Sequence, residues 1–150
     1  MTKWLVKTEE SVYSIDRFQS DKKTVWEGVR NYQARNYLRA MQKGDEVLVY
    51  HSNSDPTAIV GLAQVRLTAF ADPSQFDPKS EFFDPKASKE APRWFCPEFG
   101  FVKKFKRPLS LEHLKGQSDL KGMVLLQRGS RLSVQPVTDK EFTLILKLAE

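Results

Sequence analysis

Apolar positions recur along the chain in short blocks separated by turn residues. Residues 3–8 are a brief apolar run with β-branched content and read as a buried strand. Ser14 is placed to cap a short helical turn through about Gln19. Thr24, Val25 and Trp26 form a brief extended stretch that ends at Gly28. Asn31 is a suitable N-cap for a helix over residues 32–43, where Ala34, Tyr37, Leu38 and Met41 fall at i, i+3, i+4 and i+7 as one buried stripe. Arg35, Arg39 and Lys43 make a basic stripe on another face, and Gly44 is a suitable stop.

A strand over residues 46–51 is followed by the turn Asn53-Ser54-Asp55-Pro56 and a longer strand over 58–70. The two read as an antiparallel hairpin, with Ile59, Ala63, Val65 and Leu67 sharing one face. Residues 72–92 carry Asp-Pro three times and predict an irregular excursion with one short helix. Residues 93–107 are aromatic-rich. They predict a strand pair, or one long strand bent at Pro97 and Gly100, with Phe99, Phe101 and Phe105 on one face. Ser110 caps a short helix through Leu114. Strand regions follow at residues 124–126 and 132–137. Thr138-Asp139-Lys140-Glu141 is a capping box, and the helix it starts buries Phe142, Ile145, Leu146 and Ala149. The pattern predicts one domain over residues 1–150, an α+β fold with a curved, barrel-like, mostly antiparallel sheet and peripheral helices.

Composition narrows the class. The chain has 150 residues, 40% of them hydrophobic and 29% charged, with 10 Phe, 4 Tyr and 3 Trp, which suits a packed core rather than disorder. The net charge of +5 is uneven, with thirds of +2, −2 and +5. A local basic excess is compatible with a polyanionic partner. Cys96 is the single cysteine, which excludes an intramolecular disulfide and a Cys-rich zinc site. His51 and His113 lie far apart, so neither metal nor cofactor is expected. The first residues lack the apolar core of a signal peptide, and no apolar run approaches the ~20 residues of a membrane span. The expectation is a cytoplasmic chain, nuclear in a eukaryote, with no membrane partner and a monomer favoured.

Catalytic signals are weak. Cys96 and His51 lack a flanking nucleophile motif, and Pro97 adjoins the cysteine. Asp72, Asp77, Glu81 and Asp84 fit neither an EF-hand nor a nuclease spacing. No residue is assigned a catalytic role. Binding signals are richer. Trp26, Arg30, Asn31 and Tyr32 surround Gly28, a set that can stack on a flat ring and hydrogen-bond its edge. Tyr50, His51, Ser52 and Asn53 end an apolar strand with four polar-capable side chains. Arg128, Gly129, Ser130 and Arg131 place two guanidiniums on a tight turn suited to phosphate. Lys104 and Lys106 face away from the phenylalanines of their strand.

Four segments together resemble the EVE domain family over nearly the whole chain. They are Trp4-Leu5-Val6-Lys7-Thr8-Glu9, Trp26-Glu27-Gly28-Val29-Arg30-Asn31-Tyr32-Gln33-Ala34-Arg35-Asn36, Tyr50-His51-Ser52-Asn53 and Arg128-Gly129-Ser130-Arg131-Leu132-Ser133-Val134-Gln135-Pro136-Val137. The resemblance implies a PUA-like fold, shared with the YTH readers of methylated adenine, and nucleic-acid binding through a modified base. It implies Trp26 and Trp94 as cage aromatics, and Lys7, Thr8 and Arg128 facing the base or backbone. The expected function is a non-enzymatic reader of RNA or DNA: Trp26 stacks on the base, Asn31, Tyr32, His51 and Ser52 read its edge, and Lys7, Arg128 and Arg131 hold phosphates. A ribonuclease using Lys7, Tyr32, His51 and Arg128 is one alternative. A protein-interaction module using the Asp-Pro loop and the Phe-rich strand is another.

Overall fold

A computed structural model describes residues 1–128 and 131–150. In chain order the elements are β1 (Lys3–Glu9), α1 (Ile15–Asp21), β2 (Lys23–Val25), α2 (Tyr32–Ala40), β3 (Glu46–Ser52), β4 (Ala58–Ala71), β5 (Phe95–Ser110), α3 (Leu111–Lys115), β6 (Val134–Val137) and α4 (Asp139–Leu148). Three 3₁₀ turns lie at Pro73–Phe76, Ser118–Leu120 and Val124–Leu126. The predicted caps form: the Ser14, Asn31 and Ser110 side chains each accept a backbone N–H three residues on, and Thr138 and Glu141 close a capping box.

The strands form one sheet in the order β2-β5-β4-β3-β1-β6. Four of its pairings are antiparallel and β1–β3 is parallel. The sheet is curved rather than closed, since its outer strands β2 and β6 do not pair among the described residues. Helices cover both faces, so the central strands are apolar on both sides. Trp4, Val6, Val47 and Val49 pack toward α1 and α2, while Leu5, Leu48 and Tyr50 pack toward α3 and α4.

Four expectations change. The first concerns β4, whose alternation breaks at a bulge beside Gly61. Ala58 and Val60 face α1 and α2, but so do Ala63 and Val65, whereas Ile59 and Leu62 face α3 and α4. A Cβ at Gly61 would sit 2.7 Å from the Lys103 carbonyl oxygen, which is why glycine stands there. Leu67 is exposed, because β4 and β5 run on past the end of β3. Second, β5 is one long strand, but its register shifts turn Phe105 to the face opposite Phe99 and Phe101. Third, α2 stops at Ala40: Met41 turns extended and buried, and Asp45 accepts both the Gln42 N–H and the Trp4 indole N–H. Lys43 is therefore outside the helix. Fourth, residues 124–126 form a 3₁₀ turn rather than a strand, an ambiguity that three apolar residues cannot resolve by period.

Candidate functional site

Because β1 and β3 run parallel, both deliver their carboxyl ends to the same edge of the sheet. A cleft of about 680 Å³ opens there. Lys7, Thr8 and Glu9 line it from β1, and Ser52 and Asn53 from the end of β3 and the turn after it. The link between β2 and α2 adds Trp26, Glu27, Gly28, Val29 and Arg30. Val12, Phe82, Arg131 and Ser133 complete the wall. A second hollow of about 330 Å³ adjoins it, sharing Thr8, Val12, Trp26, Glu27 and Phe82. A separate hollow of about 690 Å³ beside α4 mixes Lys3, Asp139, Lys147 and Glu150 around Phe142 and gathers no matched donors.

Trp26 is only 9% exposed. Its ring packs 5.4 Å from Phe99 and edge-on to Tyr13, so the indole is core as well as cleft wall. Gly28 adopts φ +87°, and a Cβ there would lie 2.7 Å from the Phe82 ring. That close approach seats Phe82 against the backbone beside Trp26. The loop carrying Phe82 is fastened from several sides. Asp72, almost fully buried, accepts from the Gly28 N–H, the Ser74 N–H and hydroxyl, and Arg30. Burial pushes the Asp72 carboxyl up, but these donors together outweigh it and hold the carboxyl below its ordinary value. Buried Gln75 donates to the Asp72 and Trp94 carbonyls and accepts from the Arg93 and Trp94 N–H groups.

Arg30 spends its guanidinium on the fold. It donates to Asp72, to Ser74, to the Val29 carbonyl and twice to the Phe82 carbonyl, and lies over the Phe82 and Trp94 rings. Lys7 differs: among the described residues it makes no ion pair, and burial lowers its ammonium pKa. Its Nζ lies 5.9 Å from the centre of the buried Tyr50 ring.

The remaining predicted residues lie elsewhere. Asn31 caps α2. Trp94 is buried, donates its indole N–H to Asp84, and stacks on exposed Tyr32 at 4.9 Å rather than facing Trp26. Arg35 covers Tyr32, and Arg93 bonds the Tyr32 hydroxyl and pairs with Asp84. His51 is buried and lines a different hollow with Ile15 and Asp16, its Nε2 accepting the Ile15 N–H, and burial lowers its pKa. Arg128 is exposed and does not line the cleft. Ser130, with Gly129, lies outside the described residues. The structure thus gathers Lys7, Thr8, Trp26, Arg30, Ser52 and Arg131, and adds Phe82, Glu27 and Asn53. Phe82 carries no distinguishing signal in a loop with Phe76 and Phe83. Glu27 and Asn53 stand within quoted motifs.

Among the described residues no set of three metal-ligating side chains stands together, and no helix is long and apolar enough to cross a membrane. Cys96 is buried, and burial, followed by the nearby Asp72 and Glu27 charges, pushes its thiol pKa up to about 12. Such a thiol is inert near neutral pH.

The EVE domain model matches residues 2–148. Thymocyte nuclear protein 1 of Gallus gallus is 41% identical over 166 residues, covering 98% of this chain and 68% of its own length. A Pseudomonas syringae protein of solved structure is 45% identical and covers 99% of both chains with a TM-score of 0.95. Human THYN1, solved in complex with 5-methylcytosine-containing DNA, is 37% identical with a TM-score of 0.92, covering 100% of this chain and 98% of its own. The α+β, PUA-like architecture is common to them, and the chain belongs to the EVE domain family.

Proposed function

We propose that this chain is a DNA-binding module that reads a modified base in the cleft between Trp26 and Phe82. The observation that carries the reading is the union of two aromatic walls with a cationic rim, Lys7 and Arg131, at one sheet edge. Aromatic faces stack on a base, and lysine and arginine hold phosphates. The cleft is too small for a duplex, so the base enters extruded from the stack. The human relative's DNA complex supports DNA over RNA and 5-methylcytosine as the base. A methyl group at C5 adds apolar surface that the ring walls remove from water.

Phe82→Ala is the cleaner test, since Trp26 is also core. Losing one stacking wall costs about 1–3 kcal/mol, roughly 5- to 150-fold in affinity. Fluorescence anisotropy with labelled oligonucleotides, methylated and unmethylated, reads it. Equal affinity for both strands, or no binding at low salt, refutes the proposal.

A further inference from the structure

An acid in a phosphate-binding cleft weakens binding unless it meets a donor on the ligand. Two acids line this cleft. Glu9 already accepts from the Asn53 side-chain amide. Glu27 has no hydrogen bond or ion pair among the described residues, and Arg30, whose charge acts on it, is committed to Asp72, Ser74 and Phe82. Glu27 directly follows Trp26 and lines both the cleft and the hollow adjoining it. It thus lines the same cleft as the ring on which a base would stack. The residue as a whole is exposed, yet burial against the cleft, followed by the charge of Asp72, raises its pKa. The acid therefore gains from a hydrogen-bond donor that enters the cleft.

We infer that Glu27 selects the base, its carboxylate accepting a hydrogen bond from the 4-amino group of an extruded 5-methylcytosine. This rests on the reading of the cleft given above. The chemistry separates two bases that carry the same C5 methyl. 5-Methylcytosine presents an amino donor at C4, whereas thymine presents a carbonyl oxygen that opposes the carboxylate lone pairs. Shape and stacking alone cannot tell them apart, so the discrimination falls to a side chain that only accepts. Lys7 and Arg131 only donate, and Thr8, Ser52 and Ser133 can turn either way.

Single-stranded oligonucleotides that differ only at one base, 5-methylcytosine, cytosine or thymine, remove the confounding cost of breaking a base pair. Wild-type protein is expected to favour 5-methylcytosine over thymine by about tenfold or more in anisotropy titrations. Glu27→Ala is expected to bring the two within about twofold, at an unchanged melting temperature, because the side chain is exposed and unpaired in the fold. Glu27→Gln separates base reading from a structural role. Its amide oxygen still accepts from the amino group, but its amide N–H₂ can turn to serve thymine. Affinity for 5-methylcytosine is then retained while thymine is no longer rejected. A wild type that does not favour 5-methylcytosine over thymine, or a Glu27→Ala protein that still rejects thymine tenfold, overturns the inference and leaves the cleft reading standing. A wild type indifferent to cytosine methylation overturns the cleft reading and this inference with it.

Discussion

Replacing Arg30 by methionine keeps most of the side chain's length and removes its guanidinium. Arg30 sits inside the motif Trp26-Glu27-Gly28-Val29-Arg30-Asn31-Tyr32, where a ligand-gripping role is the natural reading. The structure instead makes it the rivet between that motif and the loop at residues 72–94. Its partner Asp72 has a side chain only 1% exposed. Removing one member of a buried ion pair costs about 3–5 kcal/mol. Asp72 would retain the Gly28 N–H, the Ser74 N–H and the Ser74 hydroxyl, which favours the lower end. The Phe82 carbonyl would lose both of its Arg30 donors, at 2.8 and 3.1 Å. A loss of about 3 kcal/mol follows, and for a chain of this size that is a melting temperature lower by roughly 6–12 °C. Circular dichroism melts and urea titrations read it directly. Below the melting transition, DNA affinity should also fall, because Phe82 loses its tether beside Gly28. An Arg30→Met protein within about 1 kcal/mol of wild type would refute the reasoning and return Arg30 to the ligand.

Two further outcomes are expected. Lys7→Gln and Arg131→Gln should each lower the slope of log affinity against log salt by about 0.9 on duplex DNA or about 0.7 on a single strand, if each cation holds one phosphate, whereas Arg35→Gln, away from the cleft over Tyr32, should leave the slope unchanged. Stability should decline as pH falls below about 6.5, because His51 binds protons more readily unfolded than folded. Its stabilising contribution is present above the unfolded pKa and is lost as pH falls through the lower folded one. Urea titrations at pH 7.5 and 5.5 check this, and His51→Gln, whose amide oxygen can still accept the Ile15 N–H, should flatten the difference.

What the sequence reveals is local. Ser14, Asn31, Ser110 and Thr138 cap their helices because a hydroxyl, amide or box residue reaches only three positions along the chain. Ser52 was legible as the polar end of an apolar strand, whereas Lys7 and Thr8 were implied only by the resemblance to the EVE domain family. What escaped depends on distant partners. The fate of Arg30 is set by Asp72 and Ser74, over forty positions away. Trp94 faces Tyr32 because Asp84 holds its indole and Gln75 its backbone. Phe82 is drawn to the cleft by a glycine with which it shares no pattern. The change of face at Gly61 likewise follows from crowding by Lys103 and Ile15, which no alternation rule contains.

The place of β1 between β3 and β6 sets an order of assembly. Its register pairs Lys3 with Glu46 on one side and with Val137 on the other. The cleft draws on residues from Lys7 to Ser133, and the Lys7 N–H is held by the Ser133 carbonyl at 2.9 Å. Contacts so far apart in sequence close slowly and late. A chain emerging from the ribosome carries its aromatic walls well before the segment that supplies Arg131. Fragments ending at α3 hold both aromatic walls but lack Arg131, so the cationic rim of the proposed cleft is complete only after most of the chain has emerged.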